Sequence, residues 1–215
     1  MIRWAGMEIL DTLDELVDPK HTTLLMWDFA KNVVSNTFNY DSLIQNTGKL
    51  LQAARENHVP VIYSRQNNMR IMGDTGAPTI RMRFKRSCKP LSDLANQAEP
   101  RGFPPLPELV KEVAPQEDEI IFEKFGPNAF LGTCFEWWLR KLGTKTILVT
   151  GVNLATGVNA TAREAINLGY YGVVIRDCVG TGSKEDYDIA MAATERVVDV
   201  FDAAEIIEVW NKKKQ

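Results

Sequence analysis

Short runs dense in Val, Ile and Leu recur along the chain at helix-plus-strand spacing: residues 24–28 (LLMWD), 59–64 (VPVIYS), 144–151 (TKTILVTG), 172–177 (GVVIRD) and 205–210 (EIIEVW). A weaker run at 118–123 (DEIIFE) falls third in chain order. Near-continuous apolar runs predict parallel strands, which are buried on both faces and leave no side for polar residues. Between the runs the apolar positions space out to the period of a helix. Leu43, Ile44, Leu50, Leu51 and Ala54 make one stripe over residues 41–57. Phe130, Leu131, Cys134, Phe135, Trp138, Leu139 and Leu142 make another over 128–142, ended by Gly143. Val158, Ala162, Ala165, Ile166 and Gly169 form a stripe suited to close helix–sheet packing, and Tyr187, Ala193, Val197, Val198 and Phe201 mark the last helix. This alternation predicts an α/β fold, a three-layer α/β/α Rossmann-like domain with helices on both faces of a parallel sheet.

Two regions break the alternation. Residues 65–117 are long and irregular, with Gly73, Gly76, Pro78, Pro90, Pro100, Gly102 and PPLP at 104–107; so long a connection in a compact domain reads as a pocket-forming loop. It carries Arg81, Arg83, Lys85 and Arg86, with Arg65 and Arg70 nearby. The alternation R-M-R-F-K fits either a strand with one basic face, able to bind a carboxylate or a neighbouring subunit, or a solvated loop edge. Ahead of the first strand, Ile9, Leu10, Leu13, Leu16 and Val17 predict a short amphipathic helix, either an arm against a neighbouring subunit or a piece packed on its own domain. The expected organisation is an N-terminal arm over 1–21 and one domain over 22–215, a length that suits a single core.

Composition narrows the partners. With 25 Lys and Arg against 28 Asp and Glu the net charge is −3, so no general positive field favours nucleic acid or an anionic membrane, and a small molecule is the expected partner. No apolar run approaches the roughly 18–20 residues that span a bilayer, and the N-terminal stretch carries acids where a signal peptide is apolar, so a cytoplasmic protein is expected. Three cysteines without a CxxC and two histidines, His21 and His58, predict neither a disulfide framework nor a Cys/His zinc site. No GxGxxG or GxxxxGK[ST] follows a strand, so no nucleotide cofactor is expected.

In open parallel sheets, ligands bind beyond the carboxyl ends of the strands. The first strand ends in Asp28, the weak third strand is followed by Lys124, and the fourth ends in the loop GVNLATGVN. Singly, each has a plain structural reading: Asp28 as the cap of the next turn, Lys124 as a surface lysine, Gly157 as relief for a tight strand-to-helix turn. Together, LLMWDFAKNVV, KFGPNAFLGTCFEWWLRKLG, ILVTGVNLATGVNATAREAINLGY and GVVIRDCVGT resemble the isochorismatase-like hydrolases, a family also called cysteine hydrolases, over residues 22–210. The most specific block is Gly151, Val152, Gly157, Thr161, Ala162, Ala165, Gly169 and Tyr170. The resemblance implies a six-stranded parallel sheet in the order 3-2-1-4-5-6 and a cis peptide between Val152 and Asn153. Trp137 reads as a subunit-interface residue and Trp138 as core, and a homo-oligomer is expected.

In most members of that family the catalytic set is Asp, Lys and Cys. A thiolate at a helix start, beside a lysine and a carboxylate, is a strong nucleophile because its charged form is stabilised. Residue by residue, Asp28 matches the Asp, Lys124 the Lys, and Gly157 stands at the cysteine position, so no covalent intermediate can form there. Cys134 lies on an apolar stripe and reads as buried and inert, Cys88 and Cys178 lack a helix-start position, and Thr156 has a hydroxyl without a neighbouring histidine. True isochorismatases resemble this chain in carrying Gly at that position; their strand-end Asp protonates a vinyl-ether carbon and water attacks the resulting oxocarbenium centre. Gln66 in YSRQNN matches their substrate-contacting Gln. Where they carry Tyr-Ala-His this chain has Asn153, Leu154 and Ala155, and it has no WGPG segment, which points to a different substrate. The Asp-x-His…His arrangement of the metal-dependent nicotinamidases is missing, so no catalytic metal is expected.

The resemblance thus implies a hydrolase of ether or C–N bonds in a small anionic molecule, with no cofactor. Asp28 is the expected proton donor, Lys124 its electrostatic support, and the amides around Gly157 the site for developing negative charge. Gln66, Val152, Asn153 and Thr156 are the expected substrate-binding residues. The alternatives are a non-catalytic binding protein and an amidase with a substitute nucleophile, Thr156 or a bound water.

Overall fold

The computed structural model of the chain describes residues 1–67, 77–96 and 106–213. It divides into a body, Met1–Gln66 with Pro107–Gln215, and a smaller unit, Asn67–Leu106. The body opens with a hairpin, β1 (Ile2–Trp4) and β2 (Met7–Ile9), turned at Ala5 and Gly6, both at positive φ as a two-residue hairpin turn requires. Thr12 then caps the short helix α1 (Leu13–Leu16) by accepting a hydrogen bond from the Glu15 amide. The predicted N-terminal helix is therefore confined to four residues, and Ile9 belongs to a strand. Leu16 and Val17 are buried, the Trp210 indole N–H donates to the Val17 carbonyl at 2.6 Å, and the Leu10 amide donates to the Tyr171 hydroxyl at 3.0 Å. The second half of this segment thus packs on its own domain.

The central sheet holds six strands: β3 (Thr22–Trp27), β4 (Val61–Gln66), β5 (Ile120–Lys124), β6 (Thr146–Val152), β7 (Tyr171–Gly180) and β8 (Asp199–Phe201). All pairs are parallel, in the order β5-β4-β3-β6-β7-β8, which is the expected 3-2-1-4-5-6 counted over this sheet. The body's helices after α1 are α2 (Lys31–Val34) and α3 (Tyr40–Glu56), then, past α4 (Ala77–Arg86) of the smaller unit, α5 (Phe135–Lys141), α6 (Asn159–Asn167), α7 (Lys184–Thr194) and α8 (Ala203–Lys212). Successive strand residues point to opposite faces. Leu24 and Met26 of β3 accordingly join one core with Leu43 and Leu50 of α3 and Ile206 and Trp210 of α8. Leu25 and Trp27 join the other, with Phe135 and Leu139 of α5, Ala162 and Ala165 of α6 and Met191 of α7.

Four local expectations are corrected. Residues 205–210 are helix, not the sixth strand; the edge strand is the three-residue β8, and the last helix starts after it. Ala203, Ile206, Val209 and Trp210 are the buried positions of α8, a helical spacing, and the Glu205 carboxylate accepts the Asp202 amide at 2.7 Å at its first turn. For the same reason Val197, Val198 and Phe201 do not continue the preceding helix, which ends at Thr194. The helix predicted over 128–142 begins only at Phe135, because Gly132 takes φ 69° and the Asn128 side chain bonds the Phe130 amide, closing a turn instead. The basic stretch is the helix α4 rather than a strand, so its alternate residues do not share a face. Arg70, Gly73, Gly76, Pro100, Gly102 and the two prolines at 104 and 105 lie outside the described residues, as do the side chains of Arg83 and Arg86. No helix among the described residues is long and apolar enough to cross a membrane.

At the carboxyl ends of β3 and β6, Trp27 pairs with Gly151. Gly151 has φ 110°, and a Cβ there would overlap the Trp27 carbonyl. Replacing it, G151A, is expected to lower the free energy of unfolding by about 2–4 kcal/mol. Urea denaturation would measure this, and a midpoint equal to that of the parent would refute it.

Candidate active site

The site is assembled from the carboxyl ends of neighbouring strands. Asp28 follows β3 directly and sits in the left-handed region at φ 50°, a conformation that costs a non-glycine residue energy and is held here by its surroundings. Its amide donates to the carbonyl and the hydroxyl of Ser64, both at 3.3 Å. Gln66 ends β4 and Lys124 ends β5, and the two are register partners. Val152 ends β6 and is joined to Asn153 by a cis peptide bond.

Lys124 is fully buried and its ammonium lies 2.6 Å from the carboxylate of Asp28, itself nearly buried. The same nitrogen donates to Gln66 Oε1 at 2.9 Å and reaches the Gly126 carbonyl at 3.5 Å. It also sits 3.6 Å from the centre of the Trp27 ring. The cation therefore has an acid, an amide oxygen and an aromatic face around it, the kind of compensation a buried charge requires. Lys124 is thus not a surface lysine, and Asp28, besides opening the turn after β3, holds an ion pair.

After β6 the chain makes a single π-helical turn, Leu154–Val158, before α6. The Asn153 side chain accepts from the Ala155 amide at 2.8 Å, and its carbonyl accepts from the Thr156 and Val158 amides at 3.2 Å each. Three of the amides around Gly157 are thus engaged with Asn153. Gly157 is buried; Thr156 and Asn153 are half-buried. A Cβ at Gly157 would overlap Cη2 and Cζ2 of Trp27 and lie 2.8 Å from Cε2. The indole is 4% exposed, and its N–H donates to Thr161 Oγ1 at 3.1 Å.

Trp27 and Thr161 are the residues whose part in the site the strand-end argument did not single out. The available signal was a large aromatic directly before a strand-end acid, with glycines at 151 and 157 across from it. The cysteines also differ from expectation in one case. Cys134 is exposed at the start of α5, since the segment before it is not helical. Cys178 is buried within β7, and burial pushes its thiol well above the ordinary range, with Asp177 adding to the effect. Among the described residues no three His, Cys, Asp or Glu side chains converge as a metal site would need. A cavity of about 380 Å³ lined by Arg140, Lys145 and Tyr170, among others, opens at the amino ends of β6 and β7, the opposite end of the sheet from Asp28.

Residues 22–205 match the Isochorismatase domain. The chain belongs to the isochorismatase family. Among its relatives are a ureidoacrylate amidohydrolase of Pseudomonas syringae pv. syringae, 27% identical over 74% of this chain and 64% of the relative. An N-carbamoylsarcosine amidase of an Arthrobacter species is 28% identical over 65% of this chain and 50% of the relative. The chain therefore spans about half to two thirds of the length of these curated relatives. A solved structure of a cysteine hydrolase from Pseudomonas syringae pv. phaseolicola superposes with a TM-score of 0.72 at 25% identity, covering 92% of this chain and 95% of that one.

The buried ion pair generates a stability prediction. K124M leaves the Asp28 carboxylate buried without its cation and is expected to cost about 3–5 kcal/mol. D28N, which keeps an oxygen on Lys124, is expected to cost less. Thermal or urea unfolding distinguishes them, and equal, negligible losses would show that the pair is not held as described.

Proposed function

We propose that this isochorismatase-family chain is a hydrolase that works by acid/base catalysis at Asp28 without a covalent nucleophile, acting on a small anionic molecule. The observation that carries this reading is the buried Asp28–Lys124–Gln66 constellation beside Gly157, whose side-chain space is filled by Trp27. In this reading Gly157 occupies the position at which relatives carry the nucleophile. Asp28, in its protonated form, donates a proton to the leaving or adjacent atom of the substrate and regains one from the water whose oxygen adds to the substrate, and Lys124 fixes and electrostatically supports the carboxylate between the two transfers. Gln66, Val152, Asn153 and Thr156 line the substrate. The related amidohydrolases favour a hydrolysable C–N bond, whereas glycine at 157 favours an acid-labile ether.

A second reading, a binding protein without turnover, is favoured by the contacts Lys124 makes inside the protein, to Asp28, Gln66, Gly126 and the Trp27 ring. A panel of small carboxylated amides, ureides and vinyl ethers, read by calorimetry for binding and by product formation for turnover, separates the two. The enzyme reading expects hydrolysis that D28N reduces by at least about 100-fold, with binding of the same compound little changed. It also expects iodoacetamide to leave turnover intact. Tight binding without hydrolysis of any panel member would establish the second reading, and full activity in D28N would remove Asp28 from the mechanism.

A further inference from the structure

Gly157 is buried in a turn whose backbone is not in the left-handed region, so its conformation alone does not call for glycine. What excludes a side chain is its surroundings: the three atoms nearest to an added Cβ are all ring carbons of Trp27. That ring has little freedom to move aside. It is 4% exposed, its N–H is tied to Thr161 Oγ1, which also accepts the Ala129 amide at 3.2 Å, and it packs in a core with Leu154, Val158 and Ala162. Its face, meanwhile, lies 3.6 Å from the Lys124 nitrogen. The negative face of an aromatic ring attracts a cation without carrying a charge of its own. One side chain thus fills the space of residue 157 and gives the buried ammonium a neutral partner.

We propose that Trp27 is the specificity-determining residue of this site. Its indole excludes any side chain at position 157 and stands against Lys124 in its place, which restricts the site to chemistry carried by Asp28 with no bond to residue 157. Trp27 and Gly157 consequently change only together: a thiol at 157 is excluded while the ring is present, and is housed beside Lys124 and Asp28 when the ring is removed. This inference rests on the reading of Asp28 and Lys124 as the working groups, but its test does not pass through turnover, so either can fail alone.

The test uses the full chain with the two exposed thiols removed, C88S/C134S, as parent, and compares G157C, W27V, W27V/G157C and W27V/G157C/K124M. G157C alone is expected to unfold at a lower temperature than the parent, and W27V/G157C to recover part of that loss relative to W27V, a non-additive pair. Iodoacetamide, from which the thiolate displaces iodide, then probes the new sulfur by mass. In W27V/G157C it is expected to react at least about tenfold faster at about pH 6.5 than an unperturbed cysteine, because a thiolate beside an ammonium is stabilised. K124M is expected to remove that advantage. G157C as stable as its parent would overturn the steric half of the proposal. A thiol in W27V/G157C no faster than an ordinary cysteine, or one indifferent to K124M, would overturn the electrostatic half. Should the W27V proteins fail to fold, G157A is compared in the parent and in W27L; equal losses in the two would overturn the coupling.

Discussion

Lys124 and Asp28 hold opposite charges 2.6 Å apart at the end of the sheet, with the lysine wholly out of water. Removing each ion from water costs several kcal/mol even after relaxation, and attraction between the two offsets this only if the remaining donors and acceptors are met. Here the Gln66 oxygen and the Trp27 ring take up what the carboxylate leaves. The requirement reaches back into the fold. Asp28 and Lys124 are far apart in sequence, and they meet because β4 lies between β3 and β5 and places Gln66 in register with Lys124. A shift of one residue in β5 would turn the lysine to the other face of the sheet.

The same constraint explains two glycines. At 151 the β3 backbone beside Trp27 leaves no room for a Cβ, and at 157 the Trp27 ring leaves none. Gly151 therefore records both its own positive φ and the Trp27 backbone, and Gly157 records the Trp27 ring alone. Asn153 adds a further restriction, since it engages the amides of Ala155, Thr156 and Val158 and so holds the turn before α6 together from within.

Much of the architecture was legible because burial on both sides of a parallel sheet leaves a plain mark on composition. The strands β3, β4, β6 and β7 each hold a short run dense in apolar residues, and the helices α3 and α6 carry stripes at helical spacing. Where the reading failed, two periods fitted equally well over a short stretch. EIIEVW is apolar enough for a strand, yet its buried positions, together with Ala203, follow a helix begun by the Asp202–Glu205 contact. Cys134 sat on a convincing stripe, but Gly132 breaks the helix before it.

Strand ends, and the residues standing at them, follow from local sequence, because the pattern of apolar residues determines where each strand stops and an acid or lysine next in line is then placed at the sheet edge. Asp28 and Lys124 were found in this way, whereas Gln66 and the standing of Gly157 came from the family resemblance. The tertiary structure alone decided which of them touch, and with what. That Lys124 faces Asp28 rather than solvent, and that an indole occupies the volume beside Gly157, depend on side chains arriving from separate strands, and non-local packing of that kind leaves no period in the sequence to read.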